Sequence, residues 1–248
     1  MSGGKPTAPK RGRVTKKPEI AEAATRMMDQ RVKTARGRKI SSTLWLKRQL
    51  NDPYVKLAGI KGYRSRAAFK LIELNEKFNI LEPGATIVDL GAAPGGWCQI
   101  ALEHQVGHLV GIDILPMETI AGADLIEMDF MDDKAPQLLI ERLGGKADLV
   151  MSDLAANTTG HRKTDHMRTI ALVEAAADFA LSVLKPGGNF VSKVFQGGAE
   201  KNLLDTLKAR FETVRHAKPK SSRAGSPEMY LVAKGFRPLE ANPEPSSE

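Results

Sequence analysis

Three features of the chain predict an α/β fold. Short apolar strands alternate with helical segments, a glycine-rich turn joins the first strand to a helix, and the last inter-strand connection is too short to hold a crossover helix. The expected architecture is a doubly wound, mostly parallel seven-stranded sheet with helices on both faces and its last strand antiparallel.

The elements follow in order. The first fifty residues hold 14 Lys+Arg against 3 Asp+Glu, and the rest of the 248-residue chain holds 23 against 26. The basic excess therefore belongs to an N-terminal arm over 1–40, expected to be largely disordered, with a polar helix over 19–33. An arm of this kind suits a polyphosphate partner. Ser41-Ser-Thr43 is expected to cap a helix carrying Leu44, Trp45 and Leu50, and Ser65 one carrying Phe69, Leu71, Ile72 and Leu74. Strands are expected over 85–90, 108–114, 123–128, 147–153, 188–195, 212–217 and 228–234, and helices over 96–105, 135–143, 166–184 and 199–211. The folded domain thus spans 41–236, followed by an unstructured tail over 237–248.

Composition narrows the function. A single cysteine, Cys98, excludes an internal disulfide framework and a cysteine-based zinc site, and it fits a reducing compartment. No apolar run approaches the roughly 18 residues of a membrane span, and no signal core opens the chain. A cytoplasmic, metal-free monomer is expected.

The glycine turn, Asp89-Leu-Gly-Ala-Ala-Pro-Gly-Gly-Trp97, sits between a strand and a helix, and a second apolar strand ends near Asp113. A carboxylate at that spacing is where nucleotide-type folds grip ribose hydroxyls. A dinucleotide site requires a second glycine at Ala92, however, and no basic residue lies in the turn to meet phosphate. The ligand expected is an adenosine without phosphates, such as S-adenosylmethionine. An ordinary tight βα turn is the plainer alternative for the glycines alone.

Three more strands carry ionisable residues where apolar ones belong: Asp153, Lys193 and Glu228. Parallel strands bring their carboxyl ends to one rim, and an antiparallel strand begins there, so all three converge beside the turn. A lysine among Val191, Val194 and Phe195 is costly to bury as a cation, and its neutral form could act as a general base. A structural ion pair of Lys193 with Asp153 or Glu228 is the alternative.

Four segments now resemble one family. Gly62-Tyr-Arg-Ser-Arg-Ala-Ala-Phe-Lys-Leu71, Val88-Asp-Leu-Gly-Ala-Ala-Pro-Gly-Gly-Trp97, Met151-Ser-Asp-Leu-Ala-Ala-Asn157 and Ser192-Lys-Val-Phe-Gln-Gly197 are similar to the FtsJ/RrmJ family of Rossmann-like class I methyltransferases. The resemblance implies S-adenosylmethionine-dependent methylation of an RNA ribose 2′-hydroxyl, and most specifically of a uridine in 23S ribosomal RNA of the large subunit. It also implies a catalytic tetrad of Lys70, Asp153, Lys193 and Glu228, with Lys193 as proton acceptor. Family cofactor contacts fall on Gly95, Trp97, Asp113, Asp129 and Asp153. Two positions depart from the family pattern, Ala156 and Pro227, and neither removes a tetrad side chain.

Basic residues near the rim, Arg64, Arg66, His161, Arg162 and Lys163, are expected to add charge for RNA. Three other functions fit fewer of these features: a tRNA 2′-O-methyltransferase, a ribosome-assembly factor with incidental methylation, and a nicotinamide dehydrogenase.

Overall fold

The computed structural model describes residues 40–156, 159–196 and 201–239. The expected helix over 19–33, the rest of the arm over 1–39 and the tail from 240 onward lie outside the described residues. The chain divides into two compact units, Met1–Leu57 and Ala58–Glu248.

In the first unit, helix α1 (Ile40–Leu50) already includes Ser41, Ser42 and Thr43, so these residues lie within its opening turn rather than capping it. Sequence reading passed over α2 (Pro53–Lys61). Its signal was local: the Asp52 carboxylate accepts the Tyr54 N–H at 3.0 Å, and Pro53 takes the first helical position, where no N–H is needed.

The second unit carries the sheet. Its elements are α3 (Ala67–Phe78), β1 (Thr86–Leu90), α4 (Gly96–Glu103), β2 (His108–Asp113), β3 (Asp124–Glu127) and α5 (Ala135–Leu143). They continue with β4 (Ala147–Ser152), α6 (Arg162–Val183), β5 (Leu184–Phe195), α7 (Lys201–Arg210), β6 (Phe211–Ala217) and β7 (Glu228–Phe236). Strand order is β3-β2-β1-β4-β5-β7-β6. All neighbours are parallel except those of β7, which runs antiparallel to both β5 and β6. The expected seven-stranded sheet is therefore present, with the reversed strand inserted inside it rather than added at the edge.

Several element ends differ from expectation, by up to four residues, as where α6 begins at Arg162 rather than at 166. Leu184 pairs with Ala147, so β5 begins four residues before the predicted start, and the Lys-Pro-Gly-Gly stretch that reads as a turn is taken up as an irregularity, where the register shifts before Asn189 meets Leu149. Ser65 does support α3, its hydroxyl accepting the Ala67 N–H at 3.2 Å, although Arg66 is the capping position.

Helices cover both faces. Ala135, Leu139, Ala176, Ala180 and Leu207 of α5, α6 and α7 pack with Val88, Val150 and Phe190 on one side. Leu71, Leu74, Trp97 and Ile100 of α3 and α4 pack with Ile87, Met151 and Val191 on the other. Apolar burial on both faces explains why the central strands read as continuous apolar runs.

Asp89 breaks that pattern. It is fully buried in β1; one carboxylate oxygen accepts a 3.2 Å hydrogen bond from the Cys98 thiol, and the other has no partner among the described residues. Burial, opposed by the thiol hydrogen bond and reinforced by Asp153 and Asp113, pushes its carboxyl up to about 7. The unfolded chain releases that proton near pH 4. The folded state thus binds the extra proton between those values, and the stability this group contributes falls as pH rises from about 4 to about 7, by a few kcal/mol. Asp89→Asn is expected to remove most of this slope. Urea midpoints measured at pH 5, 6, 7 and 8 check it, and parallel curves for the two proteins would refute the assignment.

Candidate active site

The carboxyl ends of β1, β2 and β4 open onto a cleft of about 880 Å³. Gly91 and Ala93 of the glycine turn, Asp113, Asp129, Asp153 and Arg168 are among its lining residues. The turn is shaped by two glycines at positive φ. Gly91 has φ 82° and passes so close to the next loop that a Cβ would lie 2.9 Å from the Leu154 nitrogen. Gly95 has φ 106°, and a Cβ there would meet the Ile120 side chain at 2.5 Å. A side chain at Gly91 would displace the backbone of that loop, whereas one at Gly95 would strain its own backbone and push aside the Ile120 side chain.

Asp113 ends β2 and is held on both oxygens, by the Ala93 N–H and the Leu115 N–H, each at 2.9 Å. Asp129 accepts the Met131 N–H at 2.9 Å in the turn after β3. Three carboxylates thus face one arginine across the cleft. That balance disfavours a pyrophosphate and suits a ligand carrying hydroxyls and positive charge, which fits S-adenosylmethionine.

Gly95 and Trp97, expected at the cofactor, are not among the lining residues. Gly95 is buried in the turn, and the Trp97 ring is buried beside it with its indole N–H donating to the Ala67 carbonyl at 2.9 Å. Arg64 is similarly occupied. Its guanidinium donates to the carbonyls of Pro94, Glu118 and Thr119 at 3.3, 2.7 and 2.9 Å, so it ties the glycine turn to the loop after β2. Arg66 donates to the Ser221 carbonyl. These two arginines hold loops together rather than standing open as the expected RNA contacts. His161 is exposed, with its ring 3.2 Å from the Thr164 hydroxyl, whereas the side chains of Arg162 and Lys163 lie outside the described residues.

The four residues Lys70, Asp153, Lys193 and Glu228 meet at the end of the cleft. Lys70 Nζ lies 2.9 Å from both Glu228 oxygens and 3.8 Å from Asp153 Oδ2. Lys193 Nζ lies 3.3 Å from Asp153 Oδ1 and donates to the Asp153 carbonyl at 2.6 Å. The lysine is therefore paired, as the ion-pair alternative had it, and its partner is Asp153. Both lysines are nearly buried, at 9% and 7% exposure, so each needs its carboxylate. Burial alone would raise the Asp153 carboxyl, but Lys193, Lys70 and a hydrogen bond from Tyr230 outweigh it and hold the group below its ordinary value.

Sequence reading missed two members. Tyr230 donates to Asp153 Oδ1 at 2.7 Å, and its ring lies 5.6 Å below Lys70 Nζ. Burial, then Asp153 and Glu228, push its hydroxyl well above its ordinary value, so it stays a donor. Strand alternation could have found it, since residue 230 shares a face with residue 228. Ser222, whose hydroxyl donates to Glu228 Oε1 at 2.9 Å, comes from the β6–β7 loop and carried no periodic signal.

The family model for FtsJ-like methyltransferases matches residues 63–236, a span that includes the cleft and all four charged residues. The chain belongs to the FtsJ-like methyltransferase family. Relatives named ribosomal RNA large subunit methyltransferase E include one from Maricaulis maris, 60% identical over 86% of this chain and 77% of its own length. Another, from Granulibacter bethesdensis, is 56% identical over 96% of this chain and 98% of its own. A crystal structure from Plasmodium falciparum, described as a ribosomal RNA methyltransferase, superposes with a TM-score of 0.63 at 34% identity, covering 70% of this chain and 98% of that one. The FtsJ-like core therefore accounts for the sheet, the cleft and the charged cluster together.

Proposed function

We propose that the protein transfers the methyl group of S-adenosylmethionine to the ribose 2′-hydroxyl of a uridine in large-subunit 23S ribosomal RNA. One observation carries the reading: Asp153 belongs both to the acidic cleft and to the lysine–carboxylate cluster, so the cofactor cleft and the proton-transfer groups share an edge. The names of the relatives supply the RNA class.

Asp113, Asp129 and Asp153 would hold the cofactor, with Gly95 and Trp97 fixing the turn. When bound, the cofactor supplies an electrophilic methyl on a sulfonium. The remaining work is done by the chain. A ribose hydroxyl is a poor nucleophile, and Lys193 is positioned to take its proton. Lys70 lies 3.8 Å from the other oxygen of the carboxylate that Lys193 meets, so the two amines flank Asp153. Glu228 holds Lys70, Ser222 holds Glu228, and Tyr230 fixes Asp153, so the acceptor amine stays aligned.

In this reading residues 41–236 form the catalytic domain, and the basic arm over 1–40 adds phosphate contacts. The protein works as a cytoplasmic monomer, which its one free and buried cysteine suits.

Labelled methyl transfer to unmodified large-subunit particles, to tRNA and to an all-deoxy oligomer tests the proposal. Label is expected in the particles alone, and transfer to tRNA with none to particles would replace it. Asp113→Ala should weaken calorimetric cofactor binding by roughly 1–3 kcal/mol, because ribose hydroxyls lose a charged acceptor. Unaltered binding would remove Asp113 from the site.

A further inference from the structure

The sheet face that carries Lys193, Tyr230 and Glu228 continues along β7 through Val232 to Lys234, and β6 lies beside it with Arg215 opposite Val232. Between β6, β7 and the last turn of α3 lies a second cavity of about 580 Å³. Val232 and Phe78 are its apolar members, Lys77, Arg215, His216 and Lys234 its basic ones, and no carboxylate lines it. Lys234 is committed to the structure, donating to the Phe78 carbonyl at 2.7 Å. Lys77 and Arg215 are exposed, and neither meets a carboxylate among the described residues. At about 3.3 Å per strand residue, Val232 lies roughly 13 Å from Glu228.

Basic residues continue between the two places. Strand β6 runs towards the rim, and Lys218 and exposed Lys220 follow it in the loop that returns to Glu228. The Lys218 ammonium is spent on the Ala224 and Ser226 carbonyls at 3.4 and 2.8 Å, shaping that loop, whereas the Lys220 side chain is exposed.

We propose that this groove is a phosphate-binding track for the RNA strand flanking the target nucleotide, with Lys77 and Arg215 as its contacts. The inference rests on the RNA reading above and extends it to a surface outside the charged cluster. A polyanion fits because the lining is basic and free of acid, and because exposed Lys220 carries positive charge on into the loop that returns to Glu228. These contacts carry no base recognition, so they set affinity and register and leave the chemical step alone.

The test is the double variant Lys77→Glu, Arg215→Glu, with Lys77→Arg, Arg215→Lys as the conservative control. Binding to a protein-free large-subunit RNA fragment and to the particle is measured across a salt series, together with KM, kcat and cofactor affinity. The charge-reversed variant is expected to raise KM for the particle, and to weaken binding to the fragment, by tenfold or more. It should also lower the slope of log affinity against log salt by about one to two. Its kcat at saturating RNA and its cofactor affinity should match wild type, the latter showing that it folds, and the control should retain RNA affinity. Unchanged RNA affinity and slope would overturn the track. A loss seen with the particle but not with the protein-free fragment would also overturn it, assigning the groove to an acidic protein instead. Failure of the underlying reading looks different, because then the wild-type protein itself methylates no RNA.

Discussion

Lys193→Arg is expected to lower kcat by roughly 10²–10⁴-fold, the usual worth of a positioned general base. Arginine retains the positive charge, and so the pairing with Asp153, but it does not lose a proton near neutrality. Lys193→Ala should be as inactive. Cofactor affinity should barely move in either variant, because Lys193 is not among the residues lining the acidic cleft. Single-turnover methylation together with calorimetry separates the two effects. A Lys193→Arg enzyme working near the wild-type rate would leave the amine a structural role only.

Asp153→Ala is expected to act on stability as much as on rate. Lys70 and Lys193 both lean on this one carboxylate, at 3.8 and 3.3 Å, and both are nearly buried. Removing one partner from a buried ion pair costs about 3–5 kcal/mol, since the remaining charge is left without compensation. For a domain of this size that is a fall in Tm of roughly 10 °C. The opposed pKa shifts supply a second signature. Asp153, held below its ordinary value, contributes stability that is present above about pH 4 and lost as acid protonates it, the reverse of Asp89. The alanine variant should therefore lose less on acidification than wild type. A variant with wild-type Tm would show that Glu228 alone can compensate both lysines.

Much of this site was legible in the sequence because its residues violate local expectation. Lys193 interrupts an apolar strand, Asp113 and Asp153 close two others, and the glycines mark a turn that no other residue can make. Each stands out against its own neighbours. Tyr230 and Ser222 do not stand out, since a tyrosine is ordinary in a strand and a serine in a loop. Alternation gives Tyr230 its side of the sheet, but its partner Asp153 comes from the end of another strand, and Ser222 reaches Glu228 only through the course of a loop. Arg64 misled for the opposite reason: its charge was legible, but the three carbonyls that occupy it come from residues 94, 118 and 119. The groove beside Arg215 depends on β6 lying outside β7, a strand order that no periodicity encodes.

That strand order also has a consequence for synthesis. β7 is the last of the described elements in chain order, yet it fills an interior position, pairing with β5 on one side and β6 on the other. Until residues 228–236 have emerged from the ribosome, β5 and β6 each present an unpaired edge, and neither Glu228 nor Tyr230 is in place. A chain that stops before residue 228 consequently lacks two of the groups that meet around Lys70 and Asp153, however well its first strands have formed. Closing the sheet and bringing Glu228 and Tyr230 to Asp153 and Lys70 are therefore one requirement, met by the same nine residues.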